Sequence, residues 1–105
     1  MKPGFVYIMT NKTRSSLYVG VTSNLRARVL QHKSGQGGKF TSKYKCVDLL
    51  YYENIDSIVD AIAREKQLKN WHREWKLNLI KQMNPYLKDL STEIGIDPED
   101  LKPLK

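Results

Sequence analysis

Residues 17–32 read LYVGVTSNLRARVLQH. LYVGV is a β-favouring run, TSN is a turn signal, and the apolar residues that follow, Leu25 and Val29, stand four apart with Leu30 beside them. A strand therefore runs directly into a helix, with Asn24 placed to cap it and Gly35 to end it. Neither half reads as plain core. Gly20 interrupts the strand, where a glycine marks a bulge or a close approach of a ligand or another backbone. Arg28 and His32 share one face of the helix, as residues four apart do.

Working outward, FVYIM (5–9) is an earlier strand, joined to the first by the turn-forming TNKTRS as a hairpin with a longer loop. GQGGKFTSKYK (35–45) reads as a flexible basic loop and CVDLLYYE (46–53) as a third strand. Ser57 with Asp60 resembles a capping box and opens the helical stretch SIVDAIAREKQLKNW, whose apolar stripe is Ile58, Ala61, Ile62, Leu68 and Trp71. A further helix over about 73–83 places Trp75, Leu79 and Met83 four apart and stops at Asn84 and Pro85. The expected fold is α+β, a small three-stranded antiparallel sheet flanked by helices. The expected domain is 1–85, with 86–105 an extension that packs through Tyr86, Leu87 and Leu90 and is then loose.

The 105 residues suffice for one domain, and 40% hydrophobic with 28% charged residues is the composition of a folded globule. No apolar run is long enough for a membrane span, so a cytoplasmic protein is expected. The single cysteine, Cys46, excludes an internal disulfide and a cysteine-built zinc site. The net charge is +7, and residues 1–84 carry 15 of the 18 Lys and Arg but only 6 of the 11 Asp and Glu. A body this basic suits a polyanion, nucleic acid before an anionic membrane.

Glu65 lies four after Ala61 and three before Leu68, on the stripe that should face the core. An unpaired buried carboxylate is costly. Either Glu65 sits at the stripe's edge and pairs with a lysine, or it is a ligand for a hard divalent cation. Arg28 and His32 are either a solvated charged face or a phosphate site, since arginine offers a fork of donors and histidine exchanges a proton near neutral pH. Tyr7 and Tyr18, in the middle of neighbouring strands, are core residues unless their hydroxyls are used.

VYI (6–8), YVG (18–20), Arg28 ten residues after the second tyrosine, His32 and a helical Glu65 together resemble the GIY-YIG nuclease superfamily, over about residues 4–85. The likeness is to the small stand-alone bacterial proteins that resemble the N-terminal nuclease domain of the bacterial excinuclease, and AREKQLKNWHREWKLNLI followed by NP is similar to theirs. The resemblance implies a DNA endonuclease using one divalent metal ion, Mg²⁺ or alternatively Mn²⁺. It implies that Glu65 holds the metal, Arg28 neutralises charge on the phosphate, Tyr7 takes a proton from the attacking water, Tyr18 aligns that water or the phosphate, and His32 relays a proton. Gly20 would keep space open for the substrate backbone. Lys39, Lys43 and Lys45 are candidates for phosphate contacts, with Phe40 or Tyr44 stacking on a base.

The chain departs from the family pattern at Val6, Val19 and Ala27, and at Leu77, where some relatives carry a supporting asparagine; Asn78 is adjacent but points about 100° away on a helix. The implied partner is DNA, branched or damaged forms included, in a repair setting, with RNA as a second candidate, a recruiting protein as a third, and no membrane. Two other classes compete: a non-catalytic nucleic-acid-binding module on the same fold, and a protein-interaction adaptor built on Trp71 and Trp75.

Overall fold

Alternation along the strands sets the architecture. In the computed structural model, which describes residues 2–97, β1 (Gly4–Thr10) and β2 (Leu17–Thr22) form the antiparallel hairpin. β3 (Asp48–Ile55) pairs antiparallel with the other side of β1, giving the order β2-β1-β3. Successive side chains leave a strand on opposite faces. Val6 and Ile8 thus pack on one side with Val19 and Leu50, and Tyr7 and Met9 pack on the other with Leu49.

Each face has its own cover. α1 (Leu25–Lys33) is capped by Asn24, whose Oδ1 accepts from the Ala27 N–H at 3.1 Å, and it buries Leu25 and Val29 against the Tyr7 face. α3 (Ile58–Lys69) is capped by the Ser57 hydroxyl, which accepts from the Val59 N–H at 3.2 Å, and it lays Ala61 and Leu68 on the Val6 face. α4 (Arg73–Met83) adds Ile80 to that cluster. The α+β fold with a three-stranded antiparallel sheet between helices is the one expected.

Several details differ. The basic segment 35–45 is not all loop: Lys39–Lys43 form a short helix, α2. Its buried Thr41 accepts from the Cys46 N–H through its carbonyl, and the Ser42 hydroxyl donates to the Gly35 carbonyl, so local bonds fix the turn. Ile62, Trp75 and Met83 are exposed rather than core. Each four-residue step on a helix overshoots a full turn by about 40°, so a strict spacing of four drifts off the buried line, which here runs through Ile80. Trp71 lies beyond the end of α3 yet still packs against the Val6 cluster, half-buried under the Arg64 guanidinium.

After α4 the packing continues beyond residue 85. Tyr86 is exposed, but Leu90 and Ile96 are buried on the Tyr7 face around a short 3-10 turn, Ser91–Ile94. The Asp89 carboxylate accepts from the Leu49 N–H at 2.9 Å and pairs with Lys33 Nζ at 2.7 Å, which ties this segment to both β3 and α1. The loose tail expected at the end falls, from residue 98, outside the described residues. No described helix is long and apolar enough to cross a membrane.

Candidate active site

Tyr7 stands opposite Gly20 in the β1–β2 register, and directly opposed residues of an antiparallel pair share a face. With no side chain at Gly20, the Tyr7 ring lies across β2. A Cβ at that position would stand 2.5 Å from Tyr7 Cζ and from its hydroxyl, and 2.9 Å from Tyr18 Cε2. The space at Gly20 is therefore filled by the two tyrosines, and the expectation that it stays open for a substrate backbone is corrected.

His32, near the end of α1, closes a cluster of three rings. Its Nε2 is 2.9 Å from the Tyr7 hydroxyl, and its centroid lies 5.5 Å from Tyr7 and 5.6 Å from Tyr18. The imidazole is 2% exposed, and its Nδ1 is the one buried side-chain polar atom among the described residues without a hydrogen-bond partner. The backbone of Gly37 presses on that nitrogen so closely that a Cβ there would collide with it. Burial, reinforced by the Arg28 charge, pushes His32 down to about 4, so the ring is neutral at physiological pH. Burial also pushes the Tyr7 phenol up to about 12, overriding hydrogen bonding to Arg28, so Tyr7 keeps its proton.

Arg28, one turn before His32, is half-buried. Its Nη1 donates to Gln31 Oε1 at 2.7 Å and its Nη2 to the Gly37 carbonyl at 2.9 Å. Hydrogen bonding to the Tyr7 hydroxyl is the largest influence holding the guanidinium above its ordinary pKa, and Tyr18 acts in the same direction. A guanidinium has five N–H donors in a fixed fork, so these bonds leave capacity for an anion.

Glu65 arrives from α3, on the opposite face of the sheet. Its side chain is 14% exposed and its Oε2 lies 3.2 Å from Lys69 Nζ, one turn on. The lysine pairing foreseen for an edge carboxylate is thus present, and the charge of Glu65 is also felt at the Tyr7 phenol. Two helices from opposite faces bring a guanidinium cation and a carboxylate to bear on one tyrosine of the central strand β1.

No group of three His, Cys, Asp or Glu among the described residues could hold a metal by itself. A lone carboxylate does not suit zinc or an all-protein calcium cage. It does fit Mg²⁺, which keeps several waters and is completed by substrate phosphate.

α2 adds a second feature beside the tyrosines. Phe40 packs on Tyr18 with centroids 5.8 Å apart, and Tyr44 packs on Phe40 at 4.7 Å. Lys39 and Lys43 are exposed on the same short helix, whereas Lys45 lines a cavity of about 420 Å³ with Lys12, Lys33, Thr41 and His32. Leu77 packs at the Val6 face and Asn78 is exposed on α4, while Asn84 is buried in the fold's framework. Sequence reasoning misses Gln31 and Gly37; the only signal for Gly37 is the glycine-rich GQGG, which reads equally as a loose loop.

Comparison with known proteins adds three results. The model of the GIY-YIG catalytic domain matches residues 3–78. UPF0213 proteins of Staphylococcus haemolyticus and Staphylococcus aureus are 38% and 39% identical to the chain over 82 residues, covering 78% of it and 99% of each relative. No solved structure matches.

Proposed function

Because the chain belongs to the GIY-YIG catalytic-domain family, a family of nucleases, we propose that it is an endonuclease hydrolysing phosphodiester bonds in DNA with one divalent metal ion, Mg²⁺ or Mn²⁺. The observation that carries the reading is the Tyr7 hydroxyl, bonded to a neutral buried His32 and influenced by both Arg28 and Glu65.

In this mechanism Glu65 holds the ion, whose chemistry when bound is to polarise a phosphoryl oxygen and stabilise the leaving oxygen. Arg28 offers its remaining donors to the phosphate as negative charge builds there. Tyr7 is too weak a base alone, since burial keeps its phenol protonated. In the tautomer with its ring proton on Nδ1, the neutral His32 presents Nε2 to the Tyr7 hydroxyl and accepts the phenol proton as Tyr7 takes one from the attacking water. Tyr18 borders both rings and the guanidinium and orients the water or the phosphate. Branched or damaged DNA, a place in repair and a cytoplasmic location go with this reading.

The test is nicking of supercoiled plasmid with and without Mg²⁺ by the native chain, Glu65→Ala and Arg28→Ala. We expect metal-dependent nicking that falls by at least about 100-fold in each variant. A native protein that retards plasmid in a gel yet cuts nothing with Mg²⁺ or Mn²⁺ is a binding module on a nuclease fold, and the catalytic reading is then withdrawn.

A further inference from the structure

Tyr18, Phe40 and Tyr44 form a continuous run of rings that leads outward from the tyrosine–histidine cluster. Phe40 and Tyr44 are 44% and 42% exposed, Phe40 resting on Tyr18 and Tyr44 on Phe40. Exposed rings on a five-residue helix and at its C-terminal end contribute little to the core, yet the segment is fixed at its base. Thr41 is buried, Arg28 Nη2 holds the Gly37 carbonyl, and Ser42 bonds back to Gly35. The surroundings are cationic: residues 34–47 contain three lysines and no acidic residue, and Lys43 Nζ lies 5.4 Å from the Tyr44 ring centroid.

Half-exposed rings beside lysines with no acidic residue in their segment match one kind of ligand, a nucleobase still attached to its phosphate. Within a duplex each base face is covered by its stacked neighbours. Only an unpaired nucleotide can lay a face on a side chain.

We propose that Phe40 and Tyr44 form a stacking platform for an unpaired nucleobase next to the scissile phosphate, with Lys39 and Lys43 holding the adjoining phosphates, so that the substrate is single-stranded at the point of cleavage. This rests on the nuclease reading for the position of the phosphate, but not for the binding itself. Ring stacking is indifferent to the sugar, so an unpaired base in DNA or in RNA offers the same chemistry.

The experiment measures affinity by fluorescence anisotropy in EDTA, so that metal-dependent cutting does not intervene. The probes are a labelled single-stranded oligodeoxynucleotide, the ribo-strand of the same sequence, and the blunt DNA duplex. The proteins are the native chain, Tyr44→Leu, Phe40→Leu and Tyr44→Trp. Tyr44 packs on Phe40 and under Lys43 rather than on the tyrosine–histidine cluster, so its variants leave that cluster in place.

We expect a single strand to bind at least tenfold tighter than the duplex, each leucine variant to lose on the order of tenfold for the strand, and Tyr44→Trp to retain it. A 2-aminopurine in the strand should be quenched by the native chain and by Tyr44→Trp but not by Tyr44→Leu. Preference for the ribo-strand assigns the base to RNA with the platform intact. Equal affinity for strand and duplex, or native strand affinity in both leucine variants, overturns the proposal. Adding Mg²⁺ to the same labelled single strand separates the two readings: cutting with ring-independent binding removes only the platform, and ring-dependent binding with neither strand nor plasmid cut removes only the nuclease.

Discussion

His32 is the residue at which burial and chemistry meet. Its folded value of about 4 lies below the unfolded 6.5, so below pH 6.5 the unfolded chain takes up a proton that the folded chain refuses. The stability due to its neutral state is therefore complete above pH 6.5 and is lost as pH falls towards 4, to an extent of about 3 kcal/mol. Between pH 6.5 and 5 the native chain should show a steeper drop in melting temperature than His32→Gln. Parallel curves for the two proteins would show that the ring does not titrate in this way. The spacing of four already places Arg28 and His32 on one helix face. It does not tell that His32 turns inward to Tyr7 while Arg28 reaches Gly37, because the loop that folds back on both leaves no periodic trace.

At the level of elements, the strands were legible as β-favouring runs bounded by turn formers, and three of the four helices by a 3.6-residue period together with a cap or a stop signal. α2 was not, since five residues are too few for a period and its stability comes from the buried Thr41 and the bonds around it. The end of α4 makes the same point. Asn84 and Pro85 read as a stop, but the Asn84 side chain also donates to the carbonyls of Leu50 at 3.1 Å and Lys88 at 2.7 Å and accepts from the Lys88 N–H at 3.0 Å. It joins helix end, edge strand β3 and the returning chain inside the fold, where each group left unpaired costs about 1–3 kcal/mol. Asn84→Ala should lower unfolding free energy by roughly 2–3 kcal/mol in urea titration with the slope unchanged, whereas the exposed Asn78→Ala should change it by less than about 0.5 kcal/mol.

Taken whole, the molecule is a sheet between two unequal covers. α3 and α4 close one face, while α1 and the segment with Leu90 and Ile96 close the other, the face that carries Tyr7. Removing residues 86–105 takes away, among the described residues, two buried aliphatic side chains, about 1.5–3 kcal/mol each, together with the Asp89 anchor. Such a chain should melt at least about 10 °C lower than the native one, measured by circular dichroism, and an unchanged melting temperature would make the segment a passenger. The same layered build orders events in time. Tyr7, Tyr18, Arg28 and His32 all lie within the first 32 residues, and Glu65 follows on a helix that packs across the sheet's other face. A ribosome thus releases the rings and the cations long before the carboxylate, and the site proposed above is complete only once α3 has been made.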